Sequence, residues 1–355
     1  MLKKYIYLLL ILPLAACIDP YVVNVESGEQ LLTVEGTITT TPGVQSIRLT
    51  RSDTYGSIFE GLIRPVSNAT VVIRDDQGKV IFLTEDTEDR GVYYTPENFA
   101  AVVGRSYTLQ IQLVDGKVYT SLPELVNSVP EIKNIDVKVV KIAVEGELLE
   151  RSGVQLIAEI EDPADQNNFY YWRTDQSTYI LKTRPDLYTP NPNLRNPPSR
   201  EPEPKDCCII CFKTELLGNQ GIYLEKDDIF NGLNTKVAAG FIEDDGKRFV
   251  ETLRTDLRQM SISQEAYRFL RLVKQQTEVS GSVFDPPPAN IRGNMISLDN
   301  PEEVVLGYFM AAGEAVKRIY IQGDELDFRQ PVVIVPDDCR EIEGSQLNPP
   351  ADWNP

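Results

Sequence analysis

From Leu31 onward the chain is written in short alternating runs of apolar and polar residues. Leu32 and Val34 alternate with Thr33 and Glu35, Ile47 and Leu49 with Arg48 and Thr50, and Val71 and Ile73 with Thr70 and Val72. Tyr107, Leu109, Ile111 and Leu113 alternate with Thr108, Gln110 and Gln112. A period of two built from Val, Ile, Thr and Tyr predicts half-buried strands. Between these runs stand Asp75-Asp76-Gln77-Gly78 and Asp115-Gly116, residues that accept the positive φ of hairpin turns. Short strands at this spacing predict an antiparallel β-sandwich over residues 31–127, with its last strand near Leu125.

A second β-rich region is expected over 128–340. Ile135 and Val137, then Val154, Leu156, Ala158 and Ile160, repeat the alternation. An aromatic strand at Asn168–Arg173 follows the turn at Asp162-Pro163-Ala164-Asp165, and a hairpin turn is expected at Asp244-Asp245-Gly246. Residues 184–206 carry Pro185, Pro190, Pro192, Pro197, Pro198, Pro202 and Pro204, which neither a sheet interior nor a helix accepts, so this is read as a long surface loop. One amphipathic helix is expected at about 262–276. Ile262, Ala266, Phe269, Leu270 and Val273 fall on one stripe, Ser261 or Ser263 can cap it, and Gln264 stands three residues after Ser261. Strand character returns over 304–322, and from Pro336 the chain is read as loop tied by Cys339, with a tail at 341–355.

The start of the chain has a different pattern. Lys3-Lys4 precede an apolar run from Tyr5 to Leu14, too short to span a bilayer as a helix and suited to the core of a signal peptide. The run ends in Leu14-Ala15-Ala16-Cys17, which resembles a bacterial lipobox. Residues 1–16 are then a leader, Cys17 carries the acyl chains that hold the protein in outer-membrane lipid, and 17–30 form a tether. Ile18 rather than Asp follows the cysteine, which favours the outer membrane, and Asp19 inclines the expectation towards the cell surface.

Composition then narrows the chemistry. The 355 residues hold 53 Asp+Glu against 35 Lys+Arg, a net charge of -18, and no His. Loss of Lys3 and Lys4 with the leader gives 33 − 53, or -20. Such a chain lacks the cationic face that phosphate contacts need, and every imidazole mechanism is excluded. No catalytic site, cofactor or metal site is expected. Acidic neighbours such as Glu85-Asp86 and Asp337-Asp338 are not a glycosidase pair without geometry. Asp162, Asp165 and Asp75-Asp76 lack a calcium-loop spacing, and no Gly-x-Ser-x-Gly elbow is present. Asn68-Ala69-Thr70 is read as a strand entry.

Beyond Cys17 the cysteines are Cys207, Cys208, Cys211 and Cys339. Four cysteines in an exported chain read as two disulfides. Vicinal bridges are rare, so the expectation is one local bridge within Cys207–Cys211 and a second from the remaining cluster cysteine to Cys339. A four-cysteine metal site usually needs two Cys-x-x-Cys knuckles, and only one cluster is present. Tyr170, Trp172, Tyr188 and Trp353 are candidate stacking platforms for a ligand, with core packing the alternative for Trp172.

Several stretches together resemble one family. They are Leu32–Ile38, Ile47–Ser52, Val66–Val71, Gly104–Leu109, Asp115–Ser121, Asn290–Asn294, Leu306–Phe309 and Pro336–Cys339. In order and spacing they are similar to the Bacteroidota lipoproteins grouped as domain of unknown function 4249 (DUF4249). The resemblance implies an immunoglobulin-like or carboxypeptidase-regulatory-like first domain and an outer-membrane setting. It also implies work beside a TonB-dependent β-barrel transporter in nutrient uptake. It transfers no catalytic residues. A stand-alone glycan- or ligand-binding surface protein is the alternative, and a hydrolase the weaker third reading.

Overall fold

The computed structural model describes residues 30–52, 63–142, 150–164, 166–189, 204–217, 221–277 and 291–355. The leader, Cys17, Asp19, Asp165 and the greater part of the 184–206 loop lie outside the described residues. Among the described residues the chain is mainly β with one α-helix, as the alternation predicted. No helix there is long and apolar enough to cross a membrane.

The first half forms β1 (Leu32–Thr39), β2 (Ser46–Ser52), β3 (Ile63–Pro65), β4 (Thr70–Asp75), β5 (Val80–Phe82), β6 (Thr84–Glu85), β7 (Val92–Tyr94), β8 (Ser106–Gln112), β9 (Val118–Ser121) and β10 (Glu124–Leu125). Both of these hairpins form: the Asp75 amide reaches Lys79 O at 3.1 Å and the Leu113 amide reaches Lys117 O at 2.9 Å. Asn68 sits at φ 59° just before β4, the strand entry expected there.

The second half forms β11 (Ile132–Ile142), β12 (Arg151–Glu161), β13 (Phe169–Lys182), β14 (Ile210–Leu216), β15 (Tyr223–Lys226), β16 (Asn234–Glu243), β17 (Thr252–Ser261), α1 (Gln264–Thr277), β18 (Met295–Ser297), β19 (Leu306–Gln322) and β20 (Ser345–Gln346). Ser263 is the helix cap, its Oγ accepting the Ala266 amide at 3.0 Å. Ser261 instead ends β17 inside the sheet. The turn at Asp244–Gly246 is not a hairpin, because β16 pairs with β12 and β17 with β13 and β19. It carries the chain from one sheet to the other.

Three sheets build two sandwiches. One large sheet runs β20-β14-β13-β17-β19-β1-β2-β7-β6 and serves both. Over one end lies β18-β9-β8-β4-β5; the core between them gathers Val34, Leu49, Ile73, Leu109 and Tyr119. Over the other lies β11-β12-β16, enclosing Leu156, Trp172, Tyr179, Leu257 and Ile321. The helix covers a smaller cluster of Met260, Ile262, Ala266, Tyr308 and Met310.

The expected boundary at 127/128 is therefore corrected. Met295, Val305, Phe309 and Ala311 lie in the first core, β18 pairs with β9, and β19 runs parallel to β1 from Thr33↔Leu306 to Thr39↔Ala312. The second half of β19 pairs with β17 in the other sandwich. One 17-residue strand thus belongs to both bodies. The motif glycines make the junction possible. Gly307 has φ +81°, and a Cβ there would collide with Val34 O. A Cβ on Gly293 would collide with Gly307 O. Asn294 then clamps β19 in place, donating to Phe309 O at 2.7 Å and accepting from Phe309 N at 3.0 Å.

Candidate functional site

The cysteines gather where β13 ends and β14 begins. Cys211 lies in β14 opposite Leu181 and faces the second core, fully buried beside Cys339. Their Cα atoms are 5.8 Å apart and the two are bonded. Cys207 and Cys208 are bonded to each other. This corrects the expected local bridge to Cys211. Strand register turns that side chain inward onto Cys339 and leaves the two adjacent cysteines as each other's partners. Cys208 O accepts from Thr183 Oγ1 at 2.9 Å and from Cys339 N at 3.0 Å, which fixes the cluster to the end of β13 and to the turn that begins at Cys339.

Asp338 caps the 3-10 turn Cys339–Glu341. Its carboxylate accepts from the Arg340 amide at 2.9 Å and from the Arg340 guanidinium at 2.6 Å. That guanidinium holds the carboxyl far below the usual carboxylate range. Ligand-type atoms of Cys207, Cys208 and Asp338 lie within 4.8 Å of one another. Metal ligation by cysteine uses thiolate, however, and these sulfurs are in a disulfide while the carboxylate is in an ion pair. The arrangement ties the loop end down.

The four aromatic candidates part company. Trp172 and Tyr170 are fully buried in the second core. Trp172 Nε1 donates to Gln259 Oε1 at 3.1 Å and Tyr170 OH to Asp162 Oδ1 at 2.5 Å. Neither offers a face to a ligand, because β13 is a central strand with its even positions at this end turned inward. Tyr188 is half-buried and carries Lys205 Nζ 4.0 Å over its ring; that ammonium is 2.5 Å from Asp337 Oδ1. Trp353, in the tail expected at 341–355, is folded back on the large sheet. It makes edge contacts with Phe212 at 5.2 Å and Tyr320 at 5.4 Å, and Arg254 lies 5.5 Å over its ring. The tail is not free, since β20 pairs with β14 and the Arg254 and Arg318 guanidinium groups both reach Asp352.

Two acids are buried in hydrogen-bonded settings, Glu124, which the sequence did not mark, and Asp162, weighed there only as a turn acid. Glu124, 3% exposed, joins the two bodies at the helix cap. It accepts from Tyr308 OH at 2.5 Å, Ser263 Oγ at 2.8 Å and Asn294 Nδ2 at 3.3 Å. Burial pushes its carboxyl above the ordinary value. Asp162, 2% exposed, accepts from Tyr170 OH and from the Gly232 amide at 3.0 Å. Its neighbour Asp227 accepts the Asn168 amide at 2.7 Å. In sequence Glu124 was one acid among 53. The other acidic candidates hold backbone amides at strand ends and turns. Asp75 accepts the Gln77 and Lys79 amides and pairs with Arg105 at 2.6 Å, Glu85 accepts the Asn68 amide at 2.7 Å, and Asp86 accepts the Glu88 amide at 2.7 Å. An open groove of about 490 Å³ runs beside Tyr171, Arg173, Asp175 and Tyr223, near the edge strand β16.

Comparison with known proteins gives little beyond the family. No curated protein matches the chain. Among solved structures, the chain is similar to a DUF4785 family protein from Legionella pneumophila at 11% identity and a TM-score of 0.17, covering 64% of this chain and 51% of that one. It is also similar to the BSP domain of a biofilm associated protein at 6% identity and a TM-score of 0.15, covering 83% of this chain and 59% of that one. The chain thus spans between half and three fifths of those structures. The family model for a domain of unknown function, DUF4249, matches residues 18–318, which takes in both sandwiches and the shared strand up to Arg318. The chain belongs to the DUF4249 family.

Proposed function

We propose that this protein is a Bacteroidota outer-membrane lipoprotein that works by binding rather than by catalysis, as an accessory partner of a TonB-dependent transporter in nutrient uptake. The observation that carries the reading is the lipobox-like Leu14-Ala15-Ala16-Cys17 behind a cationic and then apolar leader. Acyl chains on Cys17 exceed what stable anchoring needs. The tether then hands over to a pair of sandwiches joined by one strand and closed by Cys211–Cys339, a form suited to holding a surface against a partner.

The test is biochemical. Cells making the wild type and Cys17→Ala are fed an alkyne-labelled fatty acid, and the protein is purified under mild detergent. Label on the wild type only, with a β-barrel transporter in the eluate, is the expected result. A labelled protein that never brings down a transporter would end the partnership reading while keeping the anchor. The alternative, stand-alone glycan or ligand binding on aromatic platforms, is weakened because Tyr170 and Trp172 lie in the core. Polysaccharide and iron-chelate binding screens address what remains of it at Tyr188 and Trp353.

A further inference from the structure

In the large sheet, Arg254 of β17 stands opposite Tyr320 of β19, and Asp256 opposite Arg318. Phe212 of β14 lies on the same side two strands away, through Thr178 and Ile180 of β13. The alternate positions Leu253, Leu257 and Ile321 fill the second core. Arg254, Arg318, Tyr320 and Phe212 therefore occupy the outer face. Arginine on the solvent side of a sheet is ordinarily exposed, yet Arg254 is only 8% exposed. What covers it is the segment 350–354, turned by a hydrogen bond from Trp353 N to Pro350 O at 2.9 Å.

The cradle is organised around a carboxylate and a ring. Arg318 is gripped by Asp256, Nε to Oδ1 at 2.7 Å and Nη2 to Oδ2 at 2.9 Å, which leaves Nη1 aimed outward. That nitrogen meets Asp352 Oδ2 at 2.6 Å, while Arg254 Nη1 meets Asp352 Oδ1 at 2.7 Å. Two guanidinium groups on the two oxygens of one carboxylate form a charge-assisted pair of the strong kind. The ring of Trp353 fills the slot between Phe212 and Tyr320, and Tyr320 OH accepts the Asn354 amide at 2.8 Å. The occupant itself is held only at the surface, the Asp352 side chain being 55% exposed. Its departure would leave the buried Arg254 charge in need of another anion.

We propose that this face is a binding site for an acidic–aromatic peptide segment of a partner protein, and that Asp352-Trp353 occupies it as an exchangeable internal ligand. The cradle is preset by Asp256 and by the sheet, so an incoming carboxylate followed by an aromatic ring finds its donors and slot already in place. The site does not rest on the transporter reading, and a purified protein with a synthetic peptide tests it alone.

The probe is a fluorescein-labelled Pro-Ala-Asp-Trp-Asn-Pro peptide, read by anisotropy against the full-length protein and its Asp352→Ala/Trp353→Ala variant. The variant is expected to bind saturably and at least about tenfold more tightly than the wild type, in which the tethered segment competes at high effective concentration. Adding Arg318→Ala, or replacing the peptide Asp by Asn, should weaken binding by about tenfold through loss of a charged hydrogen bond. Thermal melts establish that each variant is folded. A folded variant that does not bind saturably, or that binds no better than the wild type, overturns the proposal. So does a wild-type dimer that disappears in the double variant, which would give the face to a second copy of this chain.

Discussion

Glu124 sits where the first sandwich, the helix cap and the shared strand meet, and its removal should be felt by all three. In Glu124→Ala, Tyr308 OH loses its acceptor at 2.5 Å while remaining 9% exposed. Asn294 Nδ2 keeps Phe309 O, and Ser263 Oγ keeps the Ala266 amide. One buried hydroxyl left without a partner costs about 1–3 kcal/mol, and the small void adds to it, for a total of about 2–4 kcal/mol. At roughly 2 °C per kcal/mol for a large chain, the melting temperature should fall by about 4–8 °C. Glu124→Gln separates hydrogen bonding from charge. Its carbonyl can accept from Tyr308, and its amide can donate to Ser263 Oγ. Burial raises the folded carboxyl above its unfolded value near 4.3. Between those two values the folded state holds more protons, so wild-type stability falls as pH rises through that window. The Gln variant lacks this contribution and should gain on the wild type as pH climbs. Urea melts of all three proteins between pH 4 and pH 8 read both effects. An Ala variant within about 0.5 kcal/mol of wild type, well below the cost of one orphaned buried group, would refute the reasoning. A Gln variant with the wild-type pH slope would refute the charge half of it.

Three further outcomes are expected. Replacing Cys211 and Cys339 together by Ser opens a bridge of sequence separation 128; the chain-entropy cost is about 4–5 kcal/mol, seen as a lower denaturation midpoint, with reductant left to act only through Cys207–Cys208. Gly307→Ala places a Cβ against Val34 O at φ +81° and should cost about 2–4 kcal/mol by strain and displaced packing, measured by thermal melt. Arg254 and then Arg318 hold the Asp352 carboxyl down to about 2. The closure of segment 350–354 should therefore persist at pH 5 and weaken as pH falls from the ordinary carboxyl value near 4 toward that point. Trp353 emission followed in a Trp172→Phe background reports it.

The alternation of Leu32/Val34, Ile47/Leu49, Tyr107–Leu113 and Val154–Ile160 was enough to read β1, β2, β8 and β12, because each strand buries one side and period two is local. The helix was legible for the same reason, to within its cap. The sharing of β19 between two bodies was not. Strand character over 304–322 matched its extent, but its middle, Met310-Ala311-Ala312-Gly313, is buried on both sides, so the alternation lapses there and nothing local marks its passage between the two bodies. The Asp244–Gly246 turn looked like a hairpin since local chemistry does not say which sheet the next strand joins. The Cys211–Cys339 pairing closes across 128 residues, and the seat of Trp353 is assembled from Phe212, Arg254 and Tyr320 on three different strands. Glu124 in Pro-Glu-Leu has no local mark at all.

The parallel pairing of β1 with β19 has a mechanical consequence. The chain enters β1 at Leu32, and β19 leaves the first body toward Gln322 at the opposite end of the ladder. A pull applied at Leu32 and resisted at the second sandwich would load that ladder in shear. All seven register pairs from Thr33↔Leu306 to Thr39↔Ala312 would bear it together instead of opening one by one. A protein held at one end by lipid and at the other by a moving partner would then have its strongest seam along the line of tension.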